Sequence, residues 1–183
     1  AELIRDDTVD EFSKLAKSRP NILLSANRCK AIGINTDNKP CSILINKNWN
    51  SSDIMSICLP LSNQEKPEIS GVISESTNGI ASSALLLLRQ ARLLPAAIIS
   101  LVSYIPIENI RDWCFKNNLI HVELQDIIMY EEVSADSLVM EVKANVPLSH
   151  TDNCEIVMFR PRDGGHEHFC LIFGKTREMQ KSS

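Results

Sequence analysis

Two histidines one residue apart, in Asp163-Gly164-Gly165-His166-Glu167-His168, are the first feature of this sequence whose types and spacing suit chemistry. On a strand, His166 and His168 face the same side, and His150 and Cys154 are not far away in sequence. A metal site needs third and fourth ligands at useful spacing, and these are missing. The pair therefore reads as the rim of a hairpin turn, with His166 and His168 as weak metal candidates only. A second feature is the small polar run Ser76, Thr77, Asn78 and Gly79, which opens an apolar helix. Free N–H groups at a helix start suit a phosphate or another anion. The same residue types also make an ordinary Asx or Ser/Thr cap, and the run matches neither GxGxxG nor a P-loop. A third feature is the set of six cysteines, at 29, 41, 58, 114, 154 and 170. No CxxC occurs, so no thiolate zinc site is announced. Several lie in apolar stretches, which fits buried free thiols in a reduced cytosol. There is no GxSxG and no HExxH, and no carboxylate stands between Glu11 and Asp37. The residues alone reveal no catalytic set.

Composition bounds the frame that must position these groups. With 183 residues the chain makes one domain, or one and a part. Its net charge of −4 argues against a general nucleic-acid binder, which wants a basic face. The longest apolar runs, 84–88 and 93–99, are split by Arg89, Gln90 and Arg92. Neither approaches the roughly 20 residues of a membrane span. The acidic N-terminus has no signal-peptide pattern. The expectation is a cytoplasmic protein that uses neither membrane nor nucleic acid. Its start at Ala1 rather than Met reads as a processed or trimmed piece.

An amphipathic helix is expected over residues 6–18, with Val9, Phe12, Leu15 and Ala16 as its stripe and Pro20 as its stop. Short strands are expected over 21–26, 30–34, 41–45 and 55–59, then a polar loop over 61–70. Residues 71–73 read as a strand, 74–79 as a turn, 80–93 as a helix and 96–102 as a buried strand. A helix from Pro106 to Asn117, a strand over 120–123 and a short helix over 124–129 follow. Strand–helix alternation of this kind predicts parallel pairing in an α/β layer. Residues 131–137 carry no strong element. Strands at 138–144, 154–159 and 168–173, with turns over 146–153 and 161–165, then form a meander. The expected fold class is mixed α/β. It comprises an α/β core over 1–133, a short antiparallel β extension over 134–174 and a flexible polar tail over 175–183.

Two segments carry a resemblance. Gly71-Val-Ile-Ser-Glu-Ser-Thr-Asn-Gly79-Ile80-Ala81-Ser82-Ser-Ala84, continuing through Leu93-Leu-Pro95-Ala-Ala-Ile-Ile-Ser100-Leu101, resembles a stretch of 3,4-dihydroxy-2-butanone 4-phosphate synthase. That family has a strand, a Gly-His-Thr-Glu turn, a helix, and a Cys-Glu at the next strand's end. Lys143-Ala-Asn-Val-Pro147, Asn153-Cys-Glu-Ile-Val-Met-Phe159 and Gly165-His-Glu-His168-Phe-Cys-Leu-Ile-Phe-Gly174 resemble the opening strands of GTP cyclohydrolase II. This order is that of fused riboflavin-biosynthesis proteins, some of which carry a synthase-like domain that has drifted from the active form. The resemblance runs over about residues 71–174. Residues 1–60 fit in pattern only.

What the resemblance implies is a synthase fold without synthase chemistry. The family's metal is held by an acidic N-terminal motif and by the His of Gly-His-Thr-Glu. The first would fall near residues 22–34, where no carboxylate exists, and the turn falls on Gly79-Ile80-Ala81-Ser82. Hard cations want oxygen ligands, and Ile80 supplies none. Ala81 has no hydroxyl for a phosphate, and the strand-end Glu falls on Leu101. The degenerate positions are thus Ile80, Ala81, Ser82 and Leu101, with Ser76, Thr77, Asn78 and Gly79 as the remaining candidate anion turn. The cyclohydrolase's three zinc cysteines have no counterpart in this chain. No cofactor is expected here, and zinc is expected only in a full-length cyclohydrolase domain. The implied roles are a scaffold or dimerisation domain in a homo-oligomer, with a cyclohydrolase domain in cis. The alternatives are a sugar-phosphate binding module and a fragment of an active GTP cyclohydrolase II.

Overall fold

The computed structural model describes residues 4–59, 65–147, 154–162 and 164–174, and of residues 131, 132 and 134 the backbone alone. It divides into two compact units, Ala1–Ile128 and Met129–Ser183. The first unit runs α1 (Thr8–Ala16), β1 (Asn21–Leu24), α2 (Ala26–Ala31), β2 (Cys41–Leu44), α3 (Ser51–Cys58), β3 (Val72–Ser74), α4 (Ile80–Gln90) and β4 (Ala96–Ile99). A single 3₁₀ turn, Ile107–Asn109, leads into α5 (Ile110–Lys116), and α6 (Leu124–Asp136) crosses the division. The second unit adds β5 (Leu138–Asn145), β6 (Cys154–Pro161) and β7 (His168–Phe173). The mixed α/β class and the C-terminal antiparallel sheet are as expected from the sequence.

Pairing in the first sheet is not. Its order is β3-β2-β1-β4, and every neighbour is antiparallel, with Ile22 opposite Ile43 on one side and Ile98 on the other. The expected parallel layer fails because residues 120–123 form no strand and because β3 and β4, which flank α4, are separated in the sheet by β2 and β1. Two other expected strands are helical. Residues 30–34 fall in the end of α2 and the turn after it, and 55–59 fall largely in α3. Ser25 caps α2 by accepting a hydrogen bond from the Arg28 N–H at 3.3 Å. At the other end, Gly33 takes φ +84°, its N–H donates to Lys30 O, and the Ile34 N–H donates back to Cys29 O at 2.9 Å. This is a Schellman close, in which glycine supplies the left-handed residue. Helix α3 begins in a capping box: the Asp53 N–H donates to Asn50 Oδ1 at 2.9 Å and the Asn50 N–H to Asp53 Oδ2 at 3.0 Å. These signals outweigh the β-branched content that suggested strands.

Two further expectations are corrected. Residues 120–123 form no strand, and residues 131–136 continue α6 where a polar break was expected. The expected loop over 61–70 and turn over 146–153 fall partly, and the tail 175–183 wholly, outside the described residues.

The core of the first unit is Ile22, Leu24, Ile43, Ile45, Ile54 and Ile57, joined by Cys29, Cys41, Cys58 and Ala96. Alternation along β1 and β2 sends these side chains to the helix-covered face, while Leu23 and Ser42 point to the other. Arg28 ties α2 to α3. Its Nε donates to Ile57 O at 2.8 Å and its Nη2 to Ser56 O at 3.3 Å and to Leu59 O. A cation on the last carbonyls of a helix satisfies unpaired acceptors and the negative end of the helix dipole.

In the second unit the register places Val142, Met158 and Phe169 in one row and Ala144, Ile156 and Leu171 in the next. Directly opposed residues share a face, so this face is apolar. The other carries Lys143, whose ammonium lies 2.9 Å from Glu155 Oε2. Val142, Phe169, Leu171 and Phe173 are all exposed on the apolar side.

Candidate functional site

Helix α4 is the element around which candidate groups gather. It follows β3 through residues 75–79, and its N-cap is Gly79, which offers no side-chain hydrogen bond. The turn is held from within. The Asn78 N–H donates to Ser76 Oγ at 3.3 Å, Ser82 Oγ donates to Ser76 O at 2.8 Å, and the Ser83 N–H donates to Gly79 O at 3.2 Å. Before the turn, the Glu75 N–H donates to Pro40 O at 2.8 Å and its carboxylate accepts from Ser42 Oγ. The turn is thus fastened to the start of β2.

One face of α4 lines an open cleft of about 930 Å³. Thr77, Asn78, Ser82 and Ser83 supply its hydroxyl and amide end, with Ser25 and Asn27 from the start of α2. Leu85, Leu86 and Ile128 form an apolar middle, and Arg89 and Arg92 stand at the far end. Ser82 and Arg89 are seven residues apart on one helix face, which separates the two polar ends by about 10 Å along the axis. Arg92 sits at φ +55°, in the left-handed region. Its N–H donates to Arg89 O and the Leu93 N–H to Leu88 O at 2.9 Å, the same close that ends α2. A non-glycine residue held there carries strain of about 1–2 kcal/mol.

The sequence-derived candidates divide. Thr77, Asn78 and Ser82 line the cleft, whereas Ser76 and Gly79 shape the turn behind it. Ile80 and Leu101 are 77% and 73% exposed, and Ala81 is buried; none of the three lines the cleft. Leu101 O accepts a hydrogen bond from Ser18 Oγ at 2.7 Å, which fastens the end of β4 to the segment after α1. His168 opens β7 opposite Phe159, and His166 lies in the turn before it. No group of three His, Cys, Asp or Glu side chains able to hold a metal occurs among the described residues. Arg89 and Arg92 were not singled out from sequence. The seven-residue spacing of Arg89 from Ser82 in the expected helix was the one available signal.

The cleft contains hydroxyls, amides and two guanidinium groups, and neither a carboxylate nor an imidazole is among its lining. Such a lining can hold an anion through charge-assisted hydrogen bonds. It has no oxygen set for a hard cation and no group that titrates as an acid or base near neutrality.

The thiols show one close pair. Cys29 and Cys41 lie with Sγ atoms 2.7 Å apart, both fully buried. The hydrogen bond shared with Cys41 draws the Cys29 thiol down to about 7, against the opposing pull of burial. The same bond, reinforced by burial, pushes Cys41 up. Cys58 is raised to about 11 by burial.

No family model matches the chain. Over 93 residues, 51% of its length, the chain is 38% identical to a protein named GTP cyclohydrolase-2 from Azospirillum brasilense. The matched stretch is 24% of that protein, so the chain spans about a quarter of the relative's length. The chain is thus related to a GTP cyclohydrolase-2 over half of its residues. No helix among the described residues is long and apolar enough to cross a membrane.

Proposed function

We propose that this chain is part of a GTP cyclohydrolase II-type protein of riboflavin biosynthesis. In this reading its first unit is a synthase-like domain that serves as a non-catalytic scaffold or dimerisation domain in the cytoplasm. The observation that carries the proposal is the chemistry of the cleft beside α4. Where the resemblance to the synthase requires an imidazole and a carboxylate, the chain has Ile80 and Leu101, side chains that point to solvent. The cleft itself offers only hydroxyls, amides and guanidinium groups. The kinship with a protein named GTP cyclohydrolase-2 supports the pathway assignment. The exposed apolar face of the β5–β6–β7 sheet supports reading residues 134–174 as the opening of a cyclohydrolase-like β domain in cis. A three-stranded sheet with one bare face has more apolar surface than it can bury alone. The zinc cysteines would belong to that larger domain.

Association with a second copy is supported by Ile107, Phe115 and Ile120, each more than 80% exposed. Sedimentation equilibrium tests it: a dimer that dissociates on Phe115→Asp is expected, and a monomer at all concentrations would overturn the scaffold reading.

The lining of the cleft favours a second reading, in which the domain retains a site for a small phosphate-bearing sugar. Ribulose 5-phosphate should then raise the melting temperature equally with magnesium and with EDTA. A shift seen only with metal, or none at millimolar ligand, would remove this reading.

A further inference from the structure

We infer that Cys29 and Cys41 form a redox-convertible pair, a site at which a hydroperoxide oxidises two thiols to a disulfide that ties α2 to β2. The two sulfurs come from different elements, and the fold brings them to 2.7 Å. A disulfide bond is about 2.05 Å long, so closing it needs a shift of under about 1 Å and no change of element. Both sulfurs are in the core that α2 and α3 lay over the sheet, where no bulk solvent competes for them.

Access comes through the segment that joins them. Residues 32–40 form no helix or strand. Asp37 and Asn38 hold positive φ, and Gly33, Asn35 and Lys39 are exposed. Ile32 and Ile34 pack against the core, but the residues after them lie outside any helix or strand, where local opening costs less than in the core. The segment runs directly from α2 to Cys41 at the start of β2. Thr36, midway along it, donates its hydroxyl proton to Lys39 O and so closes the segment on itself. Glu75 is the charged group that acts on Cys41.

The roles of the two thiols differ. Cys29 is the partner drawn toward the thiolate, since the contact between the two sulfurs lowers its thiol to about 7 and raises that of Cys41. Thiolate is the form that attacks peroxide. Its sulfur takes one oxygen as the O–O bond breaks, giving a sulfenic acid and hydroxide. The hydroxide takes the Cys41 proton, and the Cys41 sulfur displaces the sulfenic oxygen as a second hydroxide, protonated to water. Two thiols and one hydrogen peroxide thus give one disulfide and two waters, with two electrons passing from sulfur to oxygen. A dithiol reverses the step by exchange. The product fixes the start of β2 against α2, and with it Pro40, to which Glu75 fastens the polar turn of the cleft.

The test is mass spectrometry of the whole chain after one equivalent of hydrogen peroxide at neutral pH, alkylation and trypsin digestion. Trypsin cuts after Arg28, Lys30 and Lys47 and spares Lys39-Pro40, so the pair appears as residues 29–30 joined to residues 31–47. That joined peptide should form before Cys58, Cys114 or Cys154 reacts, and should vanish with dithiothreitol. In Cys41→Ser, Cys29 should instead be trapped by dimedone as its sulfenic acid. Free Cys29 and Cys41 beside an oxidised Cys170, cross-links scattered over the six cysteines, or no dimedone adduct on Cys29 in Cys41→Ser would each overturn the proposal.

Discussion

Arg28 shows how much a single side chain can do that its neighbours in sequence do not announce. Its guanidinium reaches three carbonyls at the end of α3. Charge-assisted hydrogen bonds are worth about 1.5–3 kcal/mol each at most, and losing this fork also leaves partly buried acceptors unpaired. Arg28→Ala should therefore cost about 3 kcal/mol by urea denaturation. Arg28→Lys should recover less than half, because an ammonium cannot present two parallel donors. Cys58 gives a pH signature of known sign. Burial raises its thiol from 9.0 to about 11. The unfolded chain therefore releases that proton first, and stability falls as pH rises between those values. A two-unit shift corresponds to about 2–3 kcal/mol. Cys58→Ala should flatten the fall in ΔG of unfolding over that window; an unchanged slope would assign it to other groups. Thr77, Asn78 and Ser82 were legible as a polar helix start. Arg92 was not, because its place at the cleft depends on a left-handed backbone that arginine does not advertise.

At the scale of elements, three helices close alike, with Gly33, Arg92 and Asn118 in the left-handed position after α2, α4 and α5. Glycine and asparagine are the usual stop signals there, and Gly33 stood in the sequence beside residues read as a strand. Ile32 and Ile34 suggested β structure, yet they only flank that stop. The caps decide such cases: Ser25 and the Asn50–Asp53 box start helices where apolar content alone favours strands. Parallel pairing had rested instead on the alternation over residues 71–123, and it fails because β3 and β4 pair with β2 and β1 rather than with each other and residues 120–123 form no strand. Longer, strongly patterned segments were legible, among them α4 and all three strands of the second sheet. The close of α4 yields a prediction. Arg92→Gly relieves about 1–2 kcal/mol of left-handed strain and gives back about 0.5–1 kcal/mol as unfolded-state entropy. The variant should be more stable by up to about 1.5 kcal/mol by urea denaturation. In the same variant, calorimetric binding of inorganic phosphate should weaken several-fold. Tighter or unchanged phosphate binding would place the anion elsewhere.

The whole molecule combines two units of different completeness. The first buries a closed isoleucine and cysteine core over an antiparallel sheet, and the second leaves one face of its sheet bare. Sequence patterning marked the change from alternating elements to a meander near residue 131, and α6 runs through that polar segment. It also supplied the resemblance from which we propose Ile80, Ala81 and Leu101 as lost functional positions. The cleft escaped it, because that surface draws on α2, α4 and α6, which are distant in sequence. The central claim is that this fold offers a binding surface without synthase chemistry, and turnover tests it most directly. Purified chain, ribulose 5-phosphate and magnesium are incubated at neutral pH, and dihydroxybutanone phosphate is measured against a heat-killed control. General acid–base groups supply about 10²–10⁴-fold, and a hard metal adds several kcal/mol of charge stabilisation. A chain lacking both should form no product above the control. Product formation that requires magnesium and is abolished by Ser82→Ala would contradict the claim and place a working active site beside α4.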